Sequence, residues 1–311
     1  MRTEFYYPSS GGGMIHGCRW EPEGKPIAVL QIVHGVAEHV GRYDHFATFM
    51  AGKGFLVVAQ DHMGHGASVD EDGVRGCFQG GWMKAVADVH RLVCDTRLEY
   101  PNVPYILLGH SMGSFLVRTL LCRYPKCNIS GVILSGTAWM HRGILNSCIA
   151  AATLTGKTKG FDHPSAFINN MMFGSYNNRI DHQRTSFDWL TRDARIVDEY
   201  IADPLCGFTM TPGLAKEMFT GLLYIQEPEY LARMKKNIPV FFISGGDDPV
   251  GNYGKGVKQA VQAFTQSGME TVSMRLYPLC RHEVLNELNR EEVYQNVLDW
   301  IIRQTLFTKS E

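Results

Sequence analysis

The sequence predicts an α/β fold, with a mostly parallel central sheet, helices on both faces, an antiparallel N-terminal edge and a helical insertion. Three observations carry this expectation. Apolar runs of strand length recur along the chain. Amphipathic stretches of helical length alternate with them. One region, about 137–209, breaks the alternation.

The elements follow in order. TEFYY (3–7) and MIHGCRW (14–20), joined by PSSGGG, read as a hairpin at the sheet edge. IAVLQIV (27–33), FLVVAQ (55–60), VPYILLG (103–109), ISGVILSG (129–136), IPVFFISGG (238–246) and METVSMRLYP (269–278) are mostly too apolar to alternate, as strands buried on both faces are. Helices are expected near 43–53, 82–99, 114–124, 253–266 and 291–305, the third stopping before Pro125. Between 137 and 208 no strand stands out. Apolar helical pieces such as GILNSCIAAATL (143–154) and AFINNMMFG (166–174) lie among polar loops instead. The expected organisation is a core formed by 1–136 and 210–311 with a helical cap at 137–209.

With 45% hydrophobic and 20% charged residues, a chain of 311 residues has ample material for one large core. A formal net charge of −1 gives no polyanion signal, which argues against nucleic acid as a partner. The eight cysteines are scattered without a CxxC pair and read as free thiols. The N-terminus lacks an apolar run of signal-peptide length, and no stretch approaches the roughly 18 apolar residues of a spanning helix. A cytoplasmic location is therefore expected.

The chemistry is expected at ILLGHSMGSFL (106–116). Gly109-His110-Ser111-Met112-Gly113 fits G-x-S-x-G. The pattern alone is common; its context, after an apolar strand and before a helix, is that of a nucleophile elbow. Such a turn strains the serine backbone, so the residues two away on either side must be small. A serine hydroxyl needs a base, and the base an orienting acid. IPVFFISGG leads to Asp247-Asp248, two competing acids, and VSMRLYPLC leads to Arg281-His282. The order Ser, Asp, His along the chain suits this type of sheet. The amide of Met112 and that of Val36, in the turn His34-Gly35-Val36 after an early strand, are the expected oxyanion donors. His34, His39, His45, His62 and His65 lack the HExxH spacing and read as loop-packing residues. No metal and no organic cofactor is expected.

These pieces together resemble the α/β-hydrolase superfamily, and within it the monoacylglycerol lipase and lysophospholipase group, also described as serine-aminopeptidase-like. HGVAEHVGRY (34–43), DHMGHGAS (61–68), LLGHSMGS (107–114), VDEYIADPL (197–205), SGGDDPVG (244–251) and LYPLCRHEVLNE (276–287) carry the resemblance, which spans nearly the whole chain. It implies an α/β-hydrolase fold and a serine hydrolase of carboxylic esters acting through an acyl-enzyme, on monoacylglycerol or lysophospholipid. It implies Asp248, three residues past Gly245, as the acid, and Val36 and Met112 as oxyanion donors. It also places head-group contacts near Glu38, Arg42 and His110. Many relatives read GHSMGG where this chain has Ser114, a change expected to matter little.

The expected partner is a small-molecule or lipid ester, with transient contact to a lipid surface through 143–154 as a further expectation. The alternatives are a carboxylesterase for short soluble esters, an amidase or peptidase with the same triad, and a non-catalytic ligand receptor on a hydrolase scaffold. Ser111 argues against hydrolases that use a carboxylate nucleophile.

Overall fold

A computed structural model describes residues 1–69 and 73–306. Eight strands form one sheet: β1 (Arg2–Pro8), β2 (Met14–Trp20), β3 (Ala28–Val33), β4 (Phe55–Gln60), β5 (Tyr105–His110), β6 (Gly131–Ser135), β7 (Val240–Gly245) and β8 (Val272–Tyr277). Their order across the sheet is β1-β2-β4-β3-β5-β6-β7-β8. β2 pairs antiparallel with both β1 and β4, and every other pairing is parallel. The sheet is thus mostly parallel with an antiparallel N-terminal edge, as the apolar runs imply.

The alternation of side chains along each strand divides the core in two. On β3, Val29 and Val33 face one layer and Ala28, Leu30 and Ile32 the other; on β5, Tyr105 and Leu107 oppose Ile106 and Leu108. The first layer is closed by α2 (Trp82–Glu99), α3 (Met112–Arg123) and α9 (Lys255–Gln266), the second by α1 (Asp44–Gly52) and α10 (Arg290–Ile301). Helices on both faces explain why these strands show no polar alternation in sequence; β8 departs from the expectation of burial on both faces, since it is the edge strand of the sheet and is only partly buried.

Between β6 and β7 lie five helices: α4 (Arg142–Lys159), α5 (Ala166–Phe173), α6 (Ala194–Ala202), α7 (Pro212–Tyr224) and α8 (Pro228–Leu231). The sequence reading assigns helices to the first two regions but none to α6, α7 or α8. α7 carries a start signal of its own: the Thr211 hydroxyl accepts from Leu214 N–H at 3.1 Å, and Pro212 occupies the first turn. Ile144, Leu154 and Phe167 on α4 and α5 are exposed. None of the eight cysteines is paired, and no helix among the described residues is long and apolar enough to cross a membrane.

Candidate active site

The polar groups singled out in the sequence gather beyond the C-terminal ends of the parallel strands, where open α/β sheets bind ligands. Ser111 follows β5 at the first turn of α3, with φ of +52°. This left-handed strain is accommodated by the flanking glycines. A Cβ on Gly109 would lie 2.6 Å from the Gly113 carbonyl oxygen, and one on Gly113 would lie 1.9 Å from that of Val33. The Ser111 hydroxyl lines a cavity and makes no hydrogen bond among the described residues.

Asp248 follows β7 and is fully buried, while Asp247 is exposed. Asp248 Oδ1 lies 3.0 Å from His282 Nδ1, in the loop after β8. Oδ1 also accepts from the Val250 N–H at 2.9 Å, and Oδ2 from the Ser244 hydroxyl at 3.1 Å. Burial alone would raise the carboxyl's pKa; the facing imidazole and these donors hold it below its ordinary value. For His282 burial works against the charged form, and Asp248 more than offsets it, so the imidazole's pKa is raised. His282 and Ser111 line the same cavity. The geometry therefore selects between the two acids that the sequence leaves open.

The turn after β3 approaches the serine closely. A Cβ on Gly35 would meet Ser111 Cβ at 3.1 Å and Glu38 Oε1 at 2.7 Å. Ala37 is held at φ of +56°, its carbonyl accepting from the Tyr200 hydroxyl at 2.8 Å and the Gly207 N–H at 2.9 Å. The Val36 N–H has no acceptor among the described residues, and Met112 N–H belongs to the first turn of α3, whose donors have no intrahelical partner. Both are free for an oxyanion.

Glu38 lines the cavity but is committed to the turn. Its Oε1 accepts from Gly35 N–H at 2.5 Å and from the Tyr43 hydroxyl at 2.8 Å, and its Oε2 from Arg42 at 3.2 Å. Arg42 points away from the cavity. Its guanidinium pairs with Glu283 and Glu38, packs 4.8 Å over the Tyr200 ring and lines a neighbouring pocket. Two carboxylates claim it, so it serves them rather than the cavity. The Arg42 charge holds the Glu283 carboxyl at about 2 despite burial, whereas burial raises that of Glu38. His110 does line the cavity, with Nδ1 3.2 Å from Ser135 Oγ and its ring 4.7 Å from that of His282. Burial and the neighbouring His282 push its pKa down to about 3, so it stays neutral. His34, His62 and His65 pack ring against ring in the interior.

The cavity has a volume of about 240 Å³ and is walled mainly by apolar side chains, among them Phe115, Ile144, Met171, Met172, Phe208 and Met218. Two residues that the sequence reading missed belong to it. Tyr200 holds the turn after β3 through the Ala37 carbonyl, as described. Trp189 lies 5.2 Å from the His282 ring, and its backbone carbonyl accepts from His282 N–H at 3.3 Å. Trp189 has no local sequence signal; Tyr200 lies within VDEYIADPL. Ser114, expected to matter little, is fully buried, with its hydroxyl 2.6 Å from the Ser111 carbonyl oxygen.

Residues 24–289 match the family model described as "Serine aminopeptidase, S33". The chain is 31% identical over 306 residues to a monoacylglycerol lipase of Mycolicibacterium smegmatis, covering 97% of each chain. It is 29% identical over 288 residues to a monoglyceride lipase of Mus musculus, covering 91% of this chain and 86% of the relative. The crystal structure of a thermostable carboxyl esterase from Bacillus coagulans in complex with glycerol superposes with a TM-score of 0.90 at 29% identity, covering 98% of this chain and 99% of that one.

Proposed function

The chain belongs to the serine aminopeptidase S33 family of α/β-hydrolases, in its monoacylglycerol lipase-like group, and from that membership we propose that it cleaves carboxylic esters of lipids through an acyl-enzyme on Ser111. That it hydrolyses esters follows from the relatives; the serine mechanism and the lipid are this proposal. The observation that carries it is the His282 imidazole, paired with buried Asp248 and lining the same apolar cavity as Ser111.

In the proposed mechanism Ser111 Oγ comes into hydrogen-bond reach of His282 Nε2 on substrate binding, as catalytic contacts tighten in the complex. His282 Nε2 takes the serine proton as Oγ attacks the ester carbonyl. Asp248 holds Nδ1 protonated and stabilises the imidazolium. The amides of Val36 and Met112 receive the oxyanion, each worth about 3 kcal/mol of barrier. His282 then gives its proton to the leaving alcohol and activates water for deacylation. Residues 137–209 act as a cap whose methionines let the cavity wall adapt to the acyl chain.

The apolar wall favours an acyl chain over a short polar group. Monoacylglycerols of graded acyl length test this with wild type and Ser111→Ala. Decanoate esters should turn over faster than acetate esters, and Ser111→Ala should lose the activity. A preference for acetate would favour the second reading, a short-ester carboxylesterase, which the likeness to the Bacillus coagulans enzyme keeps in view.

A further inference from the structure

Arg118 is fully buried on α3, and among the described residues no carboxylate lies within ion-pair distance of it. Its acceptors are neutral: Thr137 Oγ1 at 3.2 Å, the Ala138 carbonyl at 2.9 Å and the Ile225 carbonyl at 3.5 Å. Its Nε has no partner. Burial pulls its pKa down only to about 9, so it remains a cation at neutral pH. The guanidinium also lies 5.7 Å from the Trp139 ring and 5.8 Å from that of Phe264; a buried cation without a counter-charge is still costly to desolvate.

The cation is the start of a chain of hydroxyls. Thr137 Oγ1 lies 2.8 Å from Ser114 Oγ, and Ser114 Oγ lies 2.6 Å from the carbonyl oxygen of Ser111. The direction of donation is fixed at both ends, because a guanidinium only donates and a carbonyl only accepts. Arg118 donates to Thr137, Thr137 to Ser114 and Ser114 to the Ser111 carbonyl. That carbonyl belongs to the same peptide unit as the Met112 N–H. Ser114 and Arg118, four residues apart, share one face of α3, and Thr137 follows β6.

We propose that Arg118, Thr137 and Ser114 form a directed donor chain that polarises the Ser111–Met112 peptide and strengthens the Met112 N–H as an oxyanion donor, making Arg118 a positioning residue for ester hydrolysis. The inference rests on the oxyanion reading given above. Hydrogen bonds in a chain reinforce one another, and a carbonyl drawn towards a donor leaves its N–H more positive. The added strength matters only when negative charge develops, so it lowers the barrier without tightening substrate binding.

The test compares Arg118→Met, Ser114→Ala, Thr137→Val, Thr137→Ser and the double variant Arg118→Met/Ser114→Ala. The readouts are kcat, KM and the affinity for an alkylboronic acid, which mimics the tetrahedral intermediate, with circular dichroism to verify folding. Breaking the chain should lower kcat about tenfold and boronate affinity in parallel, with KM unchanged. Thr137→Ser should recover most of the rate lost in Thr137→Val. The double variant should be no slower than the slower single one, because both cut the same chain. Should Arg118→Met not fold, Ser114→Ala and Thr137→Val decide. Rates within twofold of wild type in folded variants, losses confined to KM, or losses that multiply in the double variant would overturn the proposal. Wild-type hydrolysis that bypasses Ser111 would instead overturn the function on which it rests.

Discussion

The backbone N–H of His282 donates to the carbonyl of Trp189, and the two rings lie 5.2 Å apart. The neighbouring Glu283 N–H donates to the Leu190 carbonyl at 2.7 Å, and Arg281 reaches the carbonyls of Asp188 and Thr191. The loop carrying His282 is thus stitched to the segment just before α6. The indole N–H of Trp189 has no partner among the described residues, so the ring acts through packing. Trp189→Ala should cost about 3–5 kcal/mol of stability and lower kcat, whereas Trp189→Phe should cost under about 1.5 kcal/mol. Denaturant unfolding and steady-state rates check both.

Asp248 and Asp247 are adjacent in sequence and opposite in environment. Asp248→Asn keeps the shape but favours the wrong imidazole tautomer, and should lower kcat by about 10³–10⁴-fold. Asp247→Asn should stay within about threefold of wild type, because that carboxylate faces solvent. Rates of the two variants measured side by side decide the assignment.

The pH profile has a stated sign. The general base must be neutral in the free enzyme, and the facing Asp248 raises the pKa of His282 above the ordinary 6.5. The kcat/KM of wild type should therefore fall as pH drops through a midpoint above 6.5. Asp248→Asn removes the carboxylate's pull, so its residual activity should show the limb moved to lower pH. His110, held neutral down to about pH 3, should contribute no limb in this range.

Arg42 joins two carboxylates in the interior, those of Glu38 and Glu283. Arg42→Met leaves both without their cation and should cost about 3–5 kcal/mol at neutral pH. The loss should shrink at pH 5, where one carboxyl can take up a proton. Urea unfolding at the two pH values tests this; an equal loss at both would mean that the charge is not what holds the cluster.

Much of the fold was legible because apolar runs fully buried between two helical layers carry few polar residues to blur them: β4 has only Gln60 and β7 only Ser244. Ser111 could be read because it directly follows such a run, β5, and His282 because it trails the last strand, β8, which is half-exposed. The choice of Asp248 over Asp247 could not be made from local chemistry, since a turn of two aspartates looks the same from either side; burial separates them. Glu38, Arg42 and Tyr200 were not legible as one cluster, because the contacts join residues over 150 positions apart. Ser114 looked incidental because a serine in the first turn of a helix is ordinary; only the fold brings Thr137 and Arg118 to it.

The central claim is that Ser111 is the nucleophile activated by His282. Treating wild type, Ser111→Ala and His282→Ala with a fluorophosphonate, followed by intact-mass and peptide mapping, tests it directly. The account predicts one adduct on Ser111 in wild type, none in Ser111→Ala and strongly slowed labelling in His282→Ala. An unlabelled wild-type protein, or an adduct that persists in Ser111→Ala, would contradict it.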